Sequence, residues 1–450
     1  MFSAIAFVIF CAVCSVLAFR RHPIYALYFY MATTYVHPPS RWWSYMLPDM
    51  RWALLSAALA VLAVVLHRGK LSERPVWLAN GAVIILTLYG TWMWIQTPWA
   101  LDLNEHIDGS VLFTKYMVGF WFIYRITDTK ESVRNFLFTH ALGCGLLGAL
   151  ARFSEREGGR VEGVGGPGID DANSLGMFLA TGAIVCMGLL LSQKGWRRGL
   201  ALLIFPVVLE GFVVTNSRGA FLGLAAGAVV LTISKARAHR RAFWAVAVVA
   251  SMVAFVAVDK MFVERMFTIG DVTSENEDAE MSARSRVAII EAQLQMARDY
   301  PMGVGHRGTV TLSPLYLERK WLVGGGAEAD ASRSSHNTAL TALVEQGLIG
   351  ATLYVFLIVW LIGAVFRVRR MGKQGADPEL TTMGSTLCAA VTVVLVSGLA
   401  TDYLLSEVQF WMLAGLVSVL QLHASQRASA SESARLELLD KFAQPSSPTS

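Results

Sequence analysis

The chain alternates between long apolar stretches and short polar loops. Most of the apolar stretches have about the length of a membrane-spanning helix, roughly 20 residues. The second is too short to span comfortably, so the pattern predicts about twelve or thirteen crossings and leaves the side of the N-terminus open. We place the stretches at residues 1–19, 24–37, 52–67, 77–97, 110–127, 134–151, 172–192, 198–214, 219–234, 242–261, 337–366, 380–402 and 404–423.

The charges in the loops predict the orientation. Four short loops, at 67–70, 194–198, 235–241 and 367–373, are rich in Lys, Arg and His. Because Lys and Arg collect in cytoplasmic loops, we place these loops in the cytoplasm. By alternation, we place the following loops on the outer side: 98–109, 152–171, 215–218, 262–336 and 403.

The outer loop at 262–336 is far longer than the others, and long loops in compact proteins are usually functional. Within it, Ser282 to Tyr300 has the pattern of an amphipathic helix, which we expect to lie at the membrane surface. Its predicted apolar face carries Val287, Ile290, Leu294 and Ala297.

The pattern divides the chain into four parts. Residues 1–261 hold about ten transmembrane helices, 262–336 form the outer loop with its helix at 282–300, and 337–423 hold the C-terminal membrane helices. The tail at 424–450 is rich in Ser, Ala and charge, and we expect it to be disordered in the cytoplasm. The predicted fold is an all-α polytopic helical bundle.

Composition supports a membrane protein: 54% of the residues are hydrophobic, 16% are charged, and the mean hydropathy is +0.49. The net charge of +5 is spread over short loops, which argues against a nucleic-acid-binding surface. All five cysteines fall inside apolar stretches, where neither a disulfide framework nor a zinc site is expected.

His336 is the most suggestive histidine on the predicted outer side. It lies in the stretch SSHNT at 334–338, directly before an apolar run, and Ser and Asn are favoured caps of helix N-termini. An imidazole in that place would stand at the positive end of a helix, where an anion can be held. The alternative is an interfacial capping residue without a chemical role.

Two arginines have comparable positions. Arg218, in the stretch TNSRGA at 215–220, heads a helix that enters the membrane from the outer side, and Arg286 lies on the loop helix. Arginine can hold a phosphate group through two hydrogen bonds. For both residues, the alternative is simple anchoring to lipid headgroups.

Other polar residues carry weaker indications. Lys115 and Glu345 are ionisable residues inside apolar stretches, which are functional candidates by default. Snorkelling to the interface is the commoner explanation for Lys115, and we expect Glu345 to order the bundle. The glycine-rich stretch at 160–173 is interpreted as a structured turn that caps the next helix.

An acidic set in the loop at 98–109 offers another possibility, a divalent cation site, although a solvated acidic loop is the more frequent case. Its members are Asp102, Glu105, His106 and Asp108. The sequence has no P-loop and no dinucleotide-binding glycine motif, which argues against nucleotide-driven chemistry.

Four motifs together resemble the bacterial O-antigen ligases and O-antigen polymerases. They are TxSRGA at 215–220, SAxxR at 282–286, PxGxG at 301–305 and HNxxLxxLxExGxxG at 336–350. The short second stretch and the His37-Pro38 turn look closest to the ligase-like branch, which includes exosortase-associated O-glycosylation ligases. One departure is Ile290, where the family often has Trp.

The resemblance implies a GT-C-like glycosyltransferase of the bacterial inner membrane with its active site in the periplasm. Such enzymes move a glycan from undecaprenyl pyrophosphate to a hydroxyl of the lipid A core oligosaccharide during lipopolysaccharide maturation, with inversion and without a metal or cofactor. It implies His336 as the catalytic base and Arg218 and Arg286 as pyrophosphate ligands. Possible auxiliary residues are Arg333, Arg265, Lys115, Glu345 and Asn337.

Related activities remain open. An O-antigen polymerase would extend the lipid-linked glycan, and a protein O-glycosylation ligase would use a Ser or Thr acceptor. A lipid or sugar transporter is an alternative hypothesis from another functional class. Transporters usually show two related halves and interrupted helices near the midplane, and the sequence pattern shows neither. A structural scaffold would not explain cationic residues on one side.

Overall fold

The computed structural model describes residues 2–157, 160–234, 277–322 and 332–443. Within these ranges the chain is helical, apart from a hairpin of two short antiparallel strands, β1 (Arg156–Glu157) and β2 (Arg160–Val161). The helices before the outer loop are α1 (Phe2–Arg20), α2 (Ile24–Val36), α3 (Trp52–Leu66), α4 (Gly81–Gln96), α5 (Leu103–Ile126), α6 (Lys130–Phe153), α7 (Ala172–Ser192), α8 (Gly195–Val214) and α9 (Arg218–Ser234). The later helices are α10 (Glu277–Asp299), α11 (Gly308–Tyr316), α12 (Thr338–Glu345), α13 (Gly347–Lys373), α14 (Pro378–Ser397) and α15 (Glu407–Ala443).

Six helices in the described part of the chain are long and apolar enough to cross a membrane: α1, α6, α7, α13, α14 and the first 27 residues of α15. Helices α3 and α9 are apolar but shorter. The protein is therefore a helical membrane protein, as predicted. The expected span at 242–261 and Arg265 lie outside the described residues, so the full number of crossings stays a prediction.

Helices α7 and α14 form the centre of the bundle. Helix α7 packs against α6, α8, α9 and α14, and α14 packs in addition against α13 and α15. A helix that is apolar on all sides belongs in a protein core or in the hydrocarbon of a membrane, and nearly every side chain of α7 is buried within the bundle. Gly188 of α7 lets α14 approach, because a Cβ there would lie 2.0 Å from Thr386 Oγ1.

The predicted continuous helix at 337–366 is interrupted, and this expectation is corrected. Helix α12 ends at Glu345, and α13 begins at Gly347, whose φ of +66° favours glycine. The backbone at 301–303 passes so close that a Cβ on Gly347 would lie 2.4 Å from the carbonyl carbon of Met302. Pro301 O accepts a hydrogen bond from Leu348 N at 2.9 Å. A tertiary contact therefore breaks the helix where the local pattern is continuous.

The C-terminal tail also differs from expectation. Helix α15 continues to Ala443, so residues 424–443 are helical and not disordered. The physical reason is local, because Ala, Leu, Glu and Arg make up much of this stretch and favour helix. The first proline after the start of α15 is at position 445. The last residues, 444–450, lie outside the described part.

Helix α10 covers the range of the predicted loop helix and begins somewhat earlier. The side packed against the protein carries Ile289, Ala292 and Met296, which join α11 and Val344 of α12 in a small core. Of the predicted apolar face, Val287, Ile290 and Leu294 are exposed. The helix thus has two apolar sides, one against the protein and one left free for a membrane surface.

Candidate functional site

Helices α9 and α12 begin beside the same turn, residues 397–401 after α14. At the start of α12, Thr338 N donates a hydrogen bond to Gly398 O at 2.7 Å. At the start of α9, a Cβ on Gly219 would lie only 2.8 Å from Ala400 Cβ. The turn therefore brings the TNSRGA and HN motifs together, although about 120 residues separate them in the sequence.

The loop helix α10 joins this meeting point. His336 and Asn337 line a small cavity of about 60 Å³ with Ile289, Ile290 and Gln293 of α10 and with Leu399 and Ala400 of the turn. Arg286 lies on α10 about one helical turn before Ile289 and Ile290, and its side chain is outside the described part. The segments that carry Arg218, Arg286 and His336 thus converge on one turn.

Neutral side chains cap both helices. Asn337 Oδ1 accepts hydrogen bonds from Ala339 N at 2.9 Å and Leu340 N at 3.2 Å. Ser217 Oγ accepts one from Ala220 N at 3.3 Å. A neutral cap satisfies the free amides without cancelling the partial positive charge of the helix end. Asn337, predicted as an auxiliary residue, therefore serves as a cap, and His336 and Arg218 stand at two positive helix ends.

A third helix start lies next to them. Asp171 caps α7 by accepting from Asn173 N at 2.8 Å and Ser174 N at 3.1 Å, and Ala172 N donates to Glu162 Oε2 at 2.9 Å. The stretch at 160–173 is thus the structured, helix-capping turn predicted from the sequence. Asn173 Oδ1 accepts a hydrogen bond from Ser217 Oγ at 3.0 Å, which connects this turn to α9.

At the far end of α12, Glu345 is buried, 3% exposed, with Oε2 at 3.3 Å from His306 Nδ1. Burial lowers the pKa of His306, but the hydrogen bond and the charge of Glu345 outweigh burial and raise that pKa above its ordinary value. Burial, followed by repulsion from Glu345, raises the pKa of Asp402 to about 7. Glu345 is thus a common cause of the raised pKa values of His306 and Asp402.

Sequence reasoning missed two members of this cluster. The sequence analysis selected neither His306 nor Asp402 as a candidate. A usable signal existed for Asp402, because an acidic residue between two strongly apolar stretches is a functional candidate by default. No local signal links His306 to Glu345, since their contact depends on how the outer loop returns to α12.

The acidic set on α5 is arranged for structure. His106 Nε2 donates to Met93 O at 2.8 Å, and its Nδ1 accepts from His306 N at 2.9 Å, so both ring nitrogens are used. Asp102 caps α5, and Glu105 Oε2 lies 3.3 Å from Arg307 Nε. The alternative of a cation site on this loop therefore loses its imidazole ligand. Within the described ranges, no group of three or more His, Cys, Asp or Glu residues is placed to hold a metal.

Two of the remaining auxiliary candidates, Arg333 and Lys115, lie in the described part of the chain. Arg333 is fixed by a hydrogen bond from its backbone N to Ser313 Oγ at 2.7 Å, and its Nε is buried near the start of the His336 segment. Lys115 is exposed on the outside of α5, as snorkelling requires. Arg265 lies outside the described residues.

Residues 207–355 match a family model described as O-antigen ligase. The matched segment contains Arg218, Arg286, His336 and Glu345 and covers the chain from late α8 into α13. No curated protein matches the chain. The resemblance to the O-antigen ligase family, predicted from the motifs, is thus confirmed for the segment that carries the candidate site.

Proposed function

We propose that this chain, given its match to the O-antigen ligase family, is a membrane glycosyltransferase that moves a glycan from undecaprenyl pyrophosphate to a hydroxyl of the lipid A core oligosaccharide. The reaction takes place at the periplasmic face of the bacterial inner membrane. One observation carries the proposal: the starts of α9 and α12, which bear Arg218 and His336, meet at the turn 397–401 with neutral caps.

The donor site follows from charge. Negative charge grows on the pyrophosphate as its bond to the sugar breaks, and prearranged cations and helix N-termini stabilise such charge best where they need not reorganise. Arg218 at the start of α9 and Arg286 on α10 hold the pyrophosphate, and Arg333 adds charge next to the His336 segment. These groups supply what a divalent ion supplies in other transferases.

The acceptor hydroxyl is a poor nucleophile until its proton is removed. His336 takes that proton as general base while the hydroxyl oxygen attacks the anomeric carbon. The bond from that carbon to the pyrophosphate oxygen breaks, and the carrier leaves as undecaprenyl pyrophosphate. Attack from the face opposite the leaving group inverts the anomeric configuration without a covalent sugar intermediate.

Glu345 acts through the fold in this proposal. It ends α12, and its backbone O accepts hydrogen bonds from Gly305 N at 2.9 Å and Gln96 Nε2 at 3.1 Å. Its side chain contacts His306. Glu345 therefore anchors the short helix whose other end presents His336, and it is a positioning residue.

The test is reconstitution of the purified chain with undecaprenyl-pyrophosphate-linked glycan and lipid A core in the presence of a chelator. We expect transfer with wild type and a loss of at least about 100-fold with His336→Ala, with the lipid-linked donor left unconsumed. Arg218→Lys keeps the charge but loses the two-bond geometry, so we expect it to retain more activity than Arg218→Ala.

Each contrary outcome has a defined meaning. Normal transfer by His336→Ala would remove this residue as the base. A strict metal requirement would contradict the arginine mechanism. Product that grows only on the carrier lipid would assign the chain as an O-antigen polymerase, and transfer only to Ser or Thr of a protein would assign a protein O-glycosylation ligase. Lipid or glycan movement without transfer would indicate a transporter.

A further inference from the structure

A large groove lies apart from the candidate site, between α1, α2, α6 and α8. Its volume is about 510 Å³, within the range of ligand pockets, roughly 300–1,000 Å³. Apolar and aromatic side chains form most of its walls. The proposed glycan transfer uses none of these residues, so a molecule bound in the groove would be separate from the substrates of that reaction.

The groove opens sideways within the described part of the bundle. Phe10 of α1 and Leu142 of α6 line it and are 41% and 49% exposed. Exposed apolar side chains on the outside of a membrane bundle face hydrocarbon, so the mouth is open to the lipid chains of the bilayer. An occupant can therefore enter from the membrane without crossing water.

The depth of the groove matches one leaflet. On α6 its lining runs from Asn135 to Leu146, which is about 16 Å along a helix at about 1.5 Å per residue. That distance is about half of the roughly 30 Å hydrocarbon core. Tyr35 and Gly143 line the groove deeper in the bundle, and there Tyr35 Oη is hydrogen-bonded to His140 Nδ1 at 2.5 Å. The groove thus suits one chain of one leaflet.

The other end of the groove lies on the side of the bundle away from the candidate site, and it carries a cationic side chain. Trp196 and Arg197 line the groove in the first turn of α8, whose other end leads into the TNSRGA turn about 30 Å away. Tryptophan and arginine are residues of the membrane interface. Glu131 Oε1 lies 4.0 Å from Arg197 but is 2.9 Å from Arg134, and Lys194 and Arg198 add charge to the same loop. The mouth is therefore positive.

We propose that this groove binds an anionic glycerophospholipid of the leaflet opposite the candidate site, with one acyl chain along α6 and the phosphate at Arg197. The apolar wall stabilises the acyl chain, and the basic loop selects the headgroup, because anionic lipids attract basic residues near the membrane surface. The bound lipid fills the space between α6 and α8, and α8 leads directly to Arg218. The site is independent of the glycan reaction.

The test is native mass spectrometry of the purified full-length chain titrated with phosphatidylglycerol or with phosphatidylcholine of the same acyl chains. We expect wild type to retain phosphatidylglycerol about fivefold more tightly, which corresponds to about 1 kcal/mol for one basic residue. Arg197→Ala should lose this preference and Arg197→Lys should keep it. Arg68→Ala is the matched control, since Arg68 is an exposed arginine of a different basic loop, 67–70, and does not line the groove.

Filling the groove gives a second measurement that does not depend on charge. Leu142→Trp should weaken the binding of both lipids, whereas Leu203→Trp, at a 74% exposed position of α8 outside the groove, should not. Equal retention of the two lipids by wild type would overturn the proposal. So would an equal loss in Arg197→Ala and Arg68→Ala, or displacement of phosphatidylglycerol by a polyprenyl phosphate at equal concentration.

Discussion

The helix starts beside Arg218 and His336 are capped differently from the start of α14 at the other end of the bundle. At the end away from the candidate site, Asp377 caps α14 by accepting from Glu379 N at 2.8 Å, and Lys130 Nζ lies 2.7 Å from Asp377 Oδ2. Arg134 and Gln193 add contacts to Glu379 at 3.3 and 2.9 Å. Here carboxylates meet the positive helix ends, and cations meet the carboxylates.

At the candidate site the caps are Ser217 and Asn337, which carry no charge, and the neighbouring side chains include Arg218 and His336. The acids beside this region are Asp171 and Glu162, which bind the amides at the start of α7, and Asp402, whose pKa burial raises to about 7. The charges at the start of α14 therefore balance one another, and these contacts serve stability. At the starts of α9 and α12 the caps add no negative charge, so in the proposed reaction these helix ends can stabilise a pyrophosphate.

Among the variants that test this contrast, the largest effect should come from placing an acid in the neutral cap of α12. Asn337→Asp keeps a good cap but puts a carboxylate beside His336, so we expect transfer to fall at least about tenfold with an unchanged melting temperature. The measurement is kcat/KM in the reconstituted assay, and Asn337→Ser is the neutral control. Full activity of Asn337→Asp would contradict the anion site.

Next, Gly219→Ala tests the contact that joins the two helix starts. The new Cβ would lie 2.8 Å from Ala400 Cβ, so the helices must shift, and we expect a loss of about 1–3 kcal/mol in the free energy of unfolding. Gly199→Ala on α8 is the control, because nothing lies within 4 Å of its Cβ position. If both variants unfold alike, the close approach at the turn has no energetic weight.

The group formed by His306, Glu345 and Asp402 predicts that the stability of the fold depends on pH. The pKa of His306 is raised above its ordinary value of 6.5, and that of Asp402 from 3.8 to about 7. The folded state therefore holds protons that the unfolded state releases, so stability falls as pH rises through neutrality. Asp402 contributes this loss between about pH 4 and about pH 7, and His306 contributes from about pH 6.5 upward, so the melting temperature should drop by a few degrees between about pH 5 and about pH 7. Asp402→Asn should flatten this slope, and an unchanged slope would exclude the cluster as its source.

The smallest effect is expected at the balanced end. Asp377→Asn keeps the cap of α14 but removes the charge that faces Lys130, a partly exposed pair. We expect a loss of roughly 0.2–1 kcal/mol in unfolding free energy and no change in transfer. A clear fall in transfer would show that this end takes part in the reaction and would remove the contrast between the two ends.

The sequence predicted the parts of this site that depend on local chemistry. Cap-forming residues next to apolar runs located the starts of α9 and α12 at Arg218 and Thr338. It could not predict that both starts meet at residues 397–401, because that contact joins distant segments. The break at Gly347 was missed for the same reason: a periodic apolar pattern does not reveal that another backbone passes alongside it.

The interrupted helix has a mechanical consequence. Residues 301–305 of the outer loop are fastened into the break, with Val304 N bound to Val344 O at 3.2 Å and Gly305 N to Glu345 O at 2.9 Å. The loop and the short helix behind His336 therefore move as one piece. In the proposed reaction, a glycan bound to the outer loop would therefore affect the alignment of His336 through these backbone hydrogen bonds.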